Sequence, residues 1–126
     1  MGYNHDWKAC DKVLQRPAAW GQSGATQPED LLLASVSACH MLWYLHLGSD
    51  AGIVVHSYTD EPVGHGESEP NGAGRFVGIT LRPRIEVESG IDLHKAEAIH
   101  HRIHEVCYIA RSVNFPILVE ADYRKL

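Results

Sequence analysis

Residues Pro28–Gly52 read PEDLLLASVSACHMLWYLHLGSDAG, and between Leu31 and Leu47 this stretch contains no Asp, Glu, Lys or Arg. Thr26 and Glu29 have the spacing of a capping box, which predicts that a helix begins here. A glycine at position 48 is a typical stop signal, so the helix is expected to end near Gly48. The pattern predicts one long helix that is apolar on nearly all sides and forms the centre of the fold.

The apolar run of this helix is shorter than the roughly 20 residues that a membrane span requires. It also contains the polar residues Ser35, Ser37, His40 and His46. We therefore expect the helix to lie inside a protein rather than in a membrane. A chain of 126 residues barely supplies enough surrounding protein to cover it, which favours a dimer.

Composition limits the function classes that fit the chain. A length of 126 residues suits one domain covering 1–126, and a net charge of -5 argues against binding to a nucleic-acid backbone. The N-terminal residues are polar, without the apolar core of a secretory signal. Three widely spaced cysteines, Cys10, Cys39 and Cys107, do not suit a disulfide framework, so we expect a reducing, cytoplasmic location.

The remaining pattern predicts an element order of strand, long helix, strands, second helix and strand. Apolar residues recur every three or four positions from Leu93 to Val113, which is typical of an amphipathic helix. Alternating and β-branched stretches predict strands, and Gly, Pro and acidic residues predict a loop at 61–73. The predicted strands are a short one around Trp7, Ile53–Thr59, Arg75–Leu81, Arg84–Glu88 and Ile117–Tyr123.

Cys39 and Cys107 each fall within a predicted helix and each has apolar neighbours. Two buried helices in one small domain must pack on each other, so the two sulfurs can meet. A free cysteine is also among the most frequently buried residues, where it behaves as a small hydrophobic side chain. The residues alone therefore leave two roles open, core packing and sulfur chemistry.

Two stretches resemble the OsmC/Ohr family, the osmotically inducible and organic hydroperoxide resistance proteins. PEDLLLASVSACHM is similar to the family's central-helix signature, and HHRIHEVCYIARSVNFPI is similar to its second signature, a histidine-rich helix that leads to a cysteine. The resemblance covers roughly residues 26–122. It implies an α+β fold in which antiparallel sheets wrap around two central helices, in an intertwined homodimer.

The resemblance also implies a thiol peroxidase that reduces organic hydroperoxides. Cys39 matches the peroxidatic position and Cys107 the resolving position, so the implied cycle passes through a Cys39 sulfenic acid and a Cys39–Cys107 disulfide. An external dithiol, of the lipoyl or thioredoxin-like type, would restore the thiols. The implied chemistry needs no metal, flavin or haem cofactor.

Activation of the Cys39 thiol would need a nearby cation, because burial disfavours a thiolate. In the family an arginine does this, held by a glutamate that Glu29 matches. Ten helical residues span about 15 Å, so Glu29 would have to act across a dimer interface or through a large bend. Compensation of the helix dipole is its alternative role. Arg16 is the candidate arginine, with Arg111 and Arg102 as substitutes.

Nine histidines raise the question of a metal site. His100 and His104 share a helix face, but the chain has no HExxH motif, CxxC pair or clear carboxylate third ligand, so no metal is expected. His40 adjoins Cys39 but points about 100° away on a helix, so little help to the sulfur is expected. The large aromatic residues are expected in the core, some of them walling an apolar pocket: Trp43, Tyr44, Tyr108 and Phe115.

Two other functions remain open from the sequence. One is a non-catalytic redox-sensing or small-ligand-binding relative, in which the arginine is lost and Cys39 reacts slowly. The other is a His/Cys metal-binding protein. Peroxide turnover separates the first alternative from the peroxidase, and metal content tests the second.

Overall fold

A computed structural model describes residues 3–8 and 27–126. It confirms the α+β class, and the strand predicted around Trp7 is present. The elements in chain order are β1 (Tyr3–Lys8), α1 (Pro28–Asp50), β2 (Val55–Thr59), β3 (Val63–Ser68), β4 (Gly74–Leu81), β5 (Arg84–Val87), α2 (Leu93–Val106), a 3-10 turn (Ala110–Ser112), β6 (Ile117–Val119) and β7 (Asp122–Lys125).

The strands form two sheets, one of four strands in the order β1-β3-β4-β6 and one of three strands in the order β2-β5-β7. The pairs β1–β3, β3–β4 and β2–β5 are antiparallel. Each sheet also contains one parallel pair, β4–β6 in the first and β5–β7 in the second. The sheets predicted to be antiparallel are therefore mixed.

The chain passes from one sheet to the other at Pro83, which separates β4 from β5. The single closing strand predicted for Ile117–Tyr123 is wrong, because this segment divides into β6 and β7 opposite the same break. The N–H of Glu120 donates to the Leu81 carbonyl at 2.8 Å, and that of Asp122 donates to the Pro83 carbonyl at 2.9 Å. The segment that contains β6 and β7 thus runs parallel to the segment that contains β4 and β5, first in one sheet and then in the other.

Helix α1 begins at Pro28 as predicted and ends at Asp50, two residues after Gly48. At its start the Asp30 carboxylate accepts the backbone N–H of Gln27 at 3.2 Å, so the reciprocal cap lies one residue after the predicted one. Thr26 lies outside the described residues. The length and apolar composition of α1 would suit a membrane span, a property that the core helix of a soluble protein can share.

Two apolar clusters flank α1. Leu33 and Val36, in its first half, pack with the inner face of the four-stranded sheet. Tyr44 and Leu47, in its second half, pack with α2 and the three-stranded sheet. Because both clusters use α1, this helix is the element that joins the two sheets.

Strand β3 occupies part of the segment 61–73 that was predicted to be a loop, so that prediction is wrong over Val63–Ser68. Its glycines suggested turns, yet Gly64 is buried within the strand. A Cβ atom at Gly64 would lie 2.5 Å from the Phe76 ring and 2.9 Å from Leu33. Glycine is needed there because α1 and β4 approach the strand backbone closely.

Helix α2 begins at Leu93 as predicted, with the Asp92 carboxylate accepting the N–H of His94 at 2.9 Å. It ends at Val106 rather than near Val113, so the predicted end is wrong. Beyond it, Ile109 and Ala110 pack against both apolar clusters. Tertiary packing therefore ends a helix whose hydrophobic spacing continues in the sequence.

Candidate active site

The centre of the candidate site is a pair of cysteines, Cys39 and Cys107, which we call the thiol pair. Their Sγ atoms lie 2.9 Å apart, with the Cys107 thiol oriented as the donor, and both cysteines are free. They come from opposite sides of the α1–α2 interface and are 68 residues apart in the chain. The expectation that these two sulfurs meet is confirmed.

The two cysteines differ in local structure and exposure. Cys39 lies within α1 and is partly exposed, whereas Cys107 is fully buried. Cys107 is the residue that caps the C-terminus of α2 and has an extended backbone, so its predicted position within a helix is wrong. Its N–H donates to the Ile103 carbonyl at 2.8 Å, and its own carbonyl accepts the N–H of Arg111 at 3.1 Å.

The electrostatic surroundings keep Cys107 protonated. Burial, followed by the contact with Cys39, raises the pKa of the Cys107 thiol above its ordinary value. A protonated Cys107 has one S–H to donate, and Cys39 Sγ accepts it. The pair can therefore hold one sulfur as a hydrogen-bond acceptor next to one that keeps its proton.

The carboxylate expected to support the site lies elsewhere in the protomer. Glu29 is in the first turn of α1, ten residues and about 15 Å along the helix from Cys39. It lines a cleft of about 340 Å³, together with Arg75 and Phe76. Within one chain the structure does not bring Glu29 and Cys39 together.

The two candidate arginines that the structure describes, Arg102 and Arg111, are not at the sulfurs. Arg16 lies outside the described residues. Arg111 is exposed in the 3-10 turn after Cys107, and Arg102 is exposed on α2. Within residues 27–126, neither sulfur has a hydrogen bond from an arginine or lysine side chain.

A second polar contact at the α1–α2 interface was missed by the sequence reasoning. His40 Nε2 lies 2.8 Å from His100 Nδ1, and His100 Nε2 lies 2.9 Å from the hydroxyl of Tyr123 on β7. The hydroxyls of Tyr123 and Tyr44 are 3.0 Å apart, and each lies 3.1 Å from the Ala96 carbonyl. We call these four side chains the histidine–tyrosine chain.

Both histidines of this chain are uncharged at neutral pH. Burial, with smaller effects of neighbouring histidines, lowers the pKa of His40 to about 3 and that of His100 to about 4. His40 and Tyr44 are four residues apart, a spacing that places them on one face of α1 and could have indicated the chain. What the sequence lacked was the position of the facing helix.

The structure also bears on the other predicted roles. Among the residues with described side chains, no group of three His, Cys, Asp or Glu could hold a metal ion. Trp43 packs at the edge of the cluster around α2, and Phe115 packs near Phe76 at a ring distance of 5.9 Å. Tyr108 is 80% exposed, so its predicted place in the core is wrong. Helix α2 ends at Val106, before this residue, and the ring of Tyr108 points outward.

Comparison with solved structures places this fold among OsmC-like proteins. An OsmC-like protein of unknown function from Vibrio cholerae has a TM-score of 0.71 and 31% identity, covering 90% of this chain and 73% of that one. The organic hydroperoxide resistance protein OhrB of Bacillus subtilis has a TM-score of 0.61 and 22% identity, with coverage of 82% and 73%.

A third solved structure has the same fold, with a similar TM-score and sequence identity. An organic hydroperoxide resistance protein OsmC from Legionella pneumophila has a TM-score of 0.60 and 24% identity, covering 79% of this chain and 70% of that one. A search among curated proteins finds no match. A family model described as OsmC-like protein matches residues 21–122. The chain therefore belongs to the OsmC-like family.

Proposed function

We propose that the protein is a thiol-dependent peroxidase that reduces organic hydroperoxides to alcohols, in defence against oxidative stress. The observation that carries this proposal is the thiol pair, with 2.9 Å between the sulfurs and only Cys39 partly open to solvent. The Legionella pneumophila and Bacillus subtilis relatives, whose names refer to organic hydroperoxide resistance, support the same chemistry.

In the first step the Cys39 thiolate attacks the outer oxygen of ROOH and the O–O bond breaks. The alkoxide takes up a proton and leaves as the alcohol, and Cys39 becomes a sulfenic acid. The sulfur has been oxidised by two electrons and the peroxide reduced by two. The apolar surroundings of α1 favour the alkyl part of an organic hydroperoxide over hydrogen peroxide.

In the second step Cys107 attacks the sulfur of the sulfenic acid. An S–S bond forms, and hydroxide leaves with a proton as water. An external dithiol then reduces the disulfide by two thiol–disulfide exchanges and becomes a disulfide itself. We propose a lipoyl-type or thioredoxin-like dithiol as this reductant and the reducing cytoplasm as its location.

For activation we propose a homodimer in which Glu29 of one protomer orients Arg16 towards the thiol pair of the other. Glu29 is too far from Cys39 within one chain, so a second copy is required for this role. Exposed apolar residues on α1 support such an association, because uncovered apolar surface commonly marks an interface. They are Leu31, Leu42 and Leu45, which are 42%, 62% and 38% exposed.

A redox-sensing role is the second candidate, and one observation favours it. Within residues 27–126 no arginine or lysine side chain hydrogen-bonds to either sulfur. If Arg16 does not supply the cation, Cys39 would react slowly and serve as a sensor rather than a catalyst. Rate and turnover distinguish these two functions.

The test adds cumene hydroperoxide to the reduced protein with dihydrolipoamide in excess, and follows peroxide loss together with intact mass. A peroxidase consumes many equivalents and accumulates the Cys39–Cys107 disulfide when the dithiol is withheld. Cys39→Ser should abolish consumption, and Cys107→Ser, with the dithiol withheld, should consume one equivalent of peroxide and stop with a trapped sulfenic acid. Oxidation without sustained consumption would support the sensor and contradict the peroxidase.

Arg16→Ala tests whether Arg16, rather than Arg111 or Arg102, activates the sulfur of Cys39. If Arg16 activates the sulfur, this variant loses peroxide reactivity while Arg111→Ala and Arg102→Ala keep it. The three variants remove the same group from three positions, so they are matched controls for one another. Equal rates in all three would refute activation by Arg16.

A further inference from the structure

The histidine–tyrosine chain joins three elements through groups that depend on one another. His100 uses both ring nitrogens, one towards His40 and the other towards Tyr123. A neutral imidazole carries one donor and one acceptor, so the direction of one bond determines the direction of the other. The ring of His100 on α2 therefore binds α1 and β7 at once, through two bonds whose directions are coupled.

Such contacts restrict movement along the helix axes more strongly than apolar packing does. A hydrogen bond loses most of its strength when its length or angle departs from a narrow range. Apolar side chains tolerate small shifts because they can repack. His40 and His100 are each only 3% exposed, so water cannot replace a lost partner without a larger opening.

The chain adjoins the thiol pair on α1 and lies about two turns from it on α2. His40 directly follows Cys39 in α1, and His100 precedes Cys107 by seven residues, which is about two turns of α2. A slip of one residue between the helices would displace them by about 1.5 Å. A disulfide accepts only a narrow range of separations between its two residues, so a slip of this size would weaken bonding.

We infer that the histidine–tyrosine chain is a positioning device that holds α1 and α2 in the register at which Cys39 and Cys107 form a disulfide. It makes no contact with peroxide and is not catalytic. The inference rests on the proposed function only for the biological use of the disulfide. The ability of the two sulfurs to bond can be measured without peroxide.

The measurement is the equilibrium between the reduced protein and glutathione buffers of known composition. Oxidised glutathione takes two electrons from the thiol pair, giving the Cys39–Cys107 disulfide and two reduced glutathione molecules. Alkylation and peptide mass mapping give the oxidised fraction of the pair, separately from Cys10. The result is the effective concentration of one thiol towards the other, which does not depend on global stability while the protein remains folded.

Tyr123→Phe removes one hydroxyl of the chain, and Tyr58→Phe is its matched control. Tyr58 packs against the same apolar cluster, but its buried hydroxyl has no hydrogen-bond partner among the residues that the structure describes. We expect Tyr123→Phe to lower the effective concentration by about threefold to tenfold, the effect of one net hydrogen bond, and Tyr58→Phe to leave it unchanged. Equal values in these two variants would overturn the inference.

His100→Phe removes both bonds of the central ring and should lower the effective concentration by more than tenfold. His101→Phe, on the exposed neighbour, should have no effect. If His100→Phe does not fold, the tyrosine comparison still decides. Wild-type protein that forms the disulfide but consumes no peroxide would refute the proposed function alone, whereas normal turnover with unchanged variants would refute this inference alone.

Discussion

Two pairs of side chains face each other across the α1–α2 interface, the thiol pair and the histidine pair of His40 and His100, and the two pairs are of different kinds. At the thiol pair, Cys39 is partly exposed and Cys107 caps a helix end. At the histidine pair, both rings are buried and each ring bonds to a fixed partner. The comparison teaches that one interface can hold a rigid contact beside a contact that retains access to solvent.

The largest expected effect is a loss of folding stability at low pH, which arises from the histidine pair. His40 and His100 have folded pKa values of about 3 and about 4, below the usual 6.5, so between these limits the unfolded chain binds more protons. The contribution of the two neutral histidines to the free energy of unfolding is fully present above pH 6.5. It should fall with decreasing pH, by about 1.4 kcal/mol per pH unit for each histidine. Urea unfolding between pH 7 and pH 4.5 measures this slope.

The matched variants for the acid test are His100→Phe and His46→Gln. His46 is exposed on α1, so its removal should leave the dependence of the free energy of unfolding on pH unchanged. His100→Phe should remove the part of this dependence that comes from one histidine. An acid slope that is the same in both variants would show that the buried pair is not the cause of acid sensitivity.

The second effect tests the packing on the two sides of the thiol pair. Ile103 is 1% exposed one turn before Cys107, and Leu42 is 62% exposed three residues after Cys39. Ile103→Ala should lower the free energy of unfolding by about 2–5 kcal/mol through a cavity, and Leu42→Ala by no more than about 0.5 kcal/mol. Urea titration of both variants measures the contrast. A similar loss in both would mean that the Leu42 face is also covered.

The third and smallest effect concerns access to the two sulfurs. In a Cys10→Ser background, Cys39 is left alone by Cys107→Ser, and Cys107 is left alone by Cys39→Ser. A bulky aromatic disulfide reagent should react with Cys107 on the order of a hundredfold more slowly, because a buried thiol reacts only after local opening. Stopped-flow absorbance gives both rates. Equal rates would remove the difference in exposure on which the proposed order of attack depends.

Much of the fold could be predicted from local sequence. The uncharged run and the proline at its start were sufficient for α1, and alternating residues were sufficient for β4 and β5. Strand β3 was missed because glycine commonly marks turns, whereas Gly64 serves the close approach of Leu33 and Phe76. That need arises from elements distant in sequence, so no local pattern contains it.

The candidate site was predictable to the extent that it depends on spacing along a helix. That Cys39 and Cys107 can meet followed from two apolar helices that had to pack, and their pairing was implied by the resemblance to the OsmC/Ohr family. The end of α2 and the exposure of Tyr108 did not, because the packing of Ile109 and Ala110 against two clusters overrides a continuing helical pattern. The histidine–tyrosine chain required the register between the two helices, which composition cannot supply.

The sharing of α1 between both apolar clusters has a consequence for how the protein folds. Tyr44 on α1 and Tyr123 on β7 are 79 residues apart in the chain, so α1 finds its full set of neighbours only after most of the sequence has been synthesised. Contacts of such long range slow folding, because a large loop must close first. Until then leucines that folding buries, such as Leu33 and Leu47, and the thiol of a nascent α1 are open to aggregation and oxidation, and we expect expression to depend on chaperones at this stage.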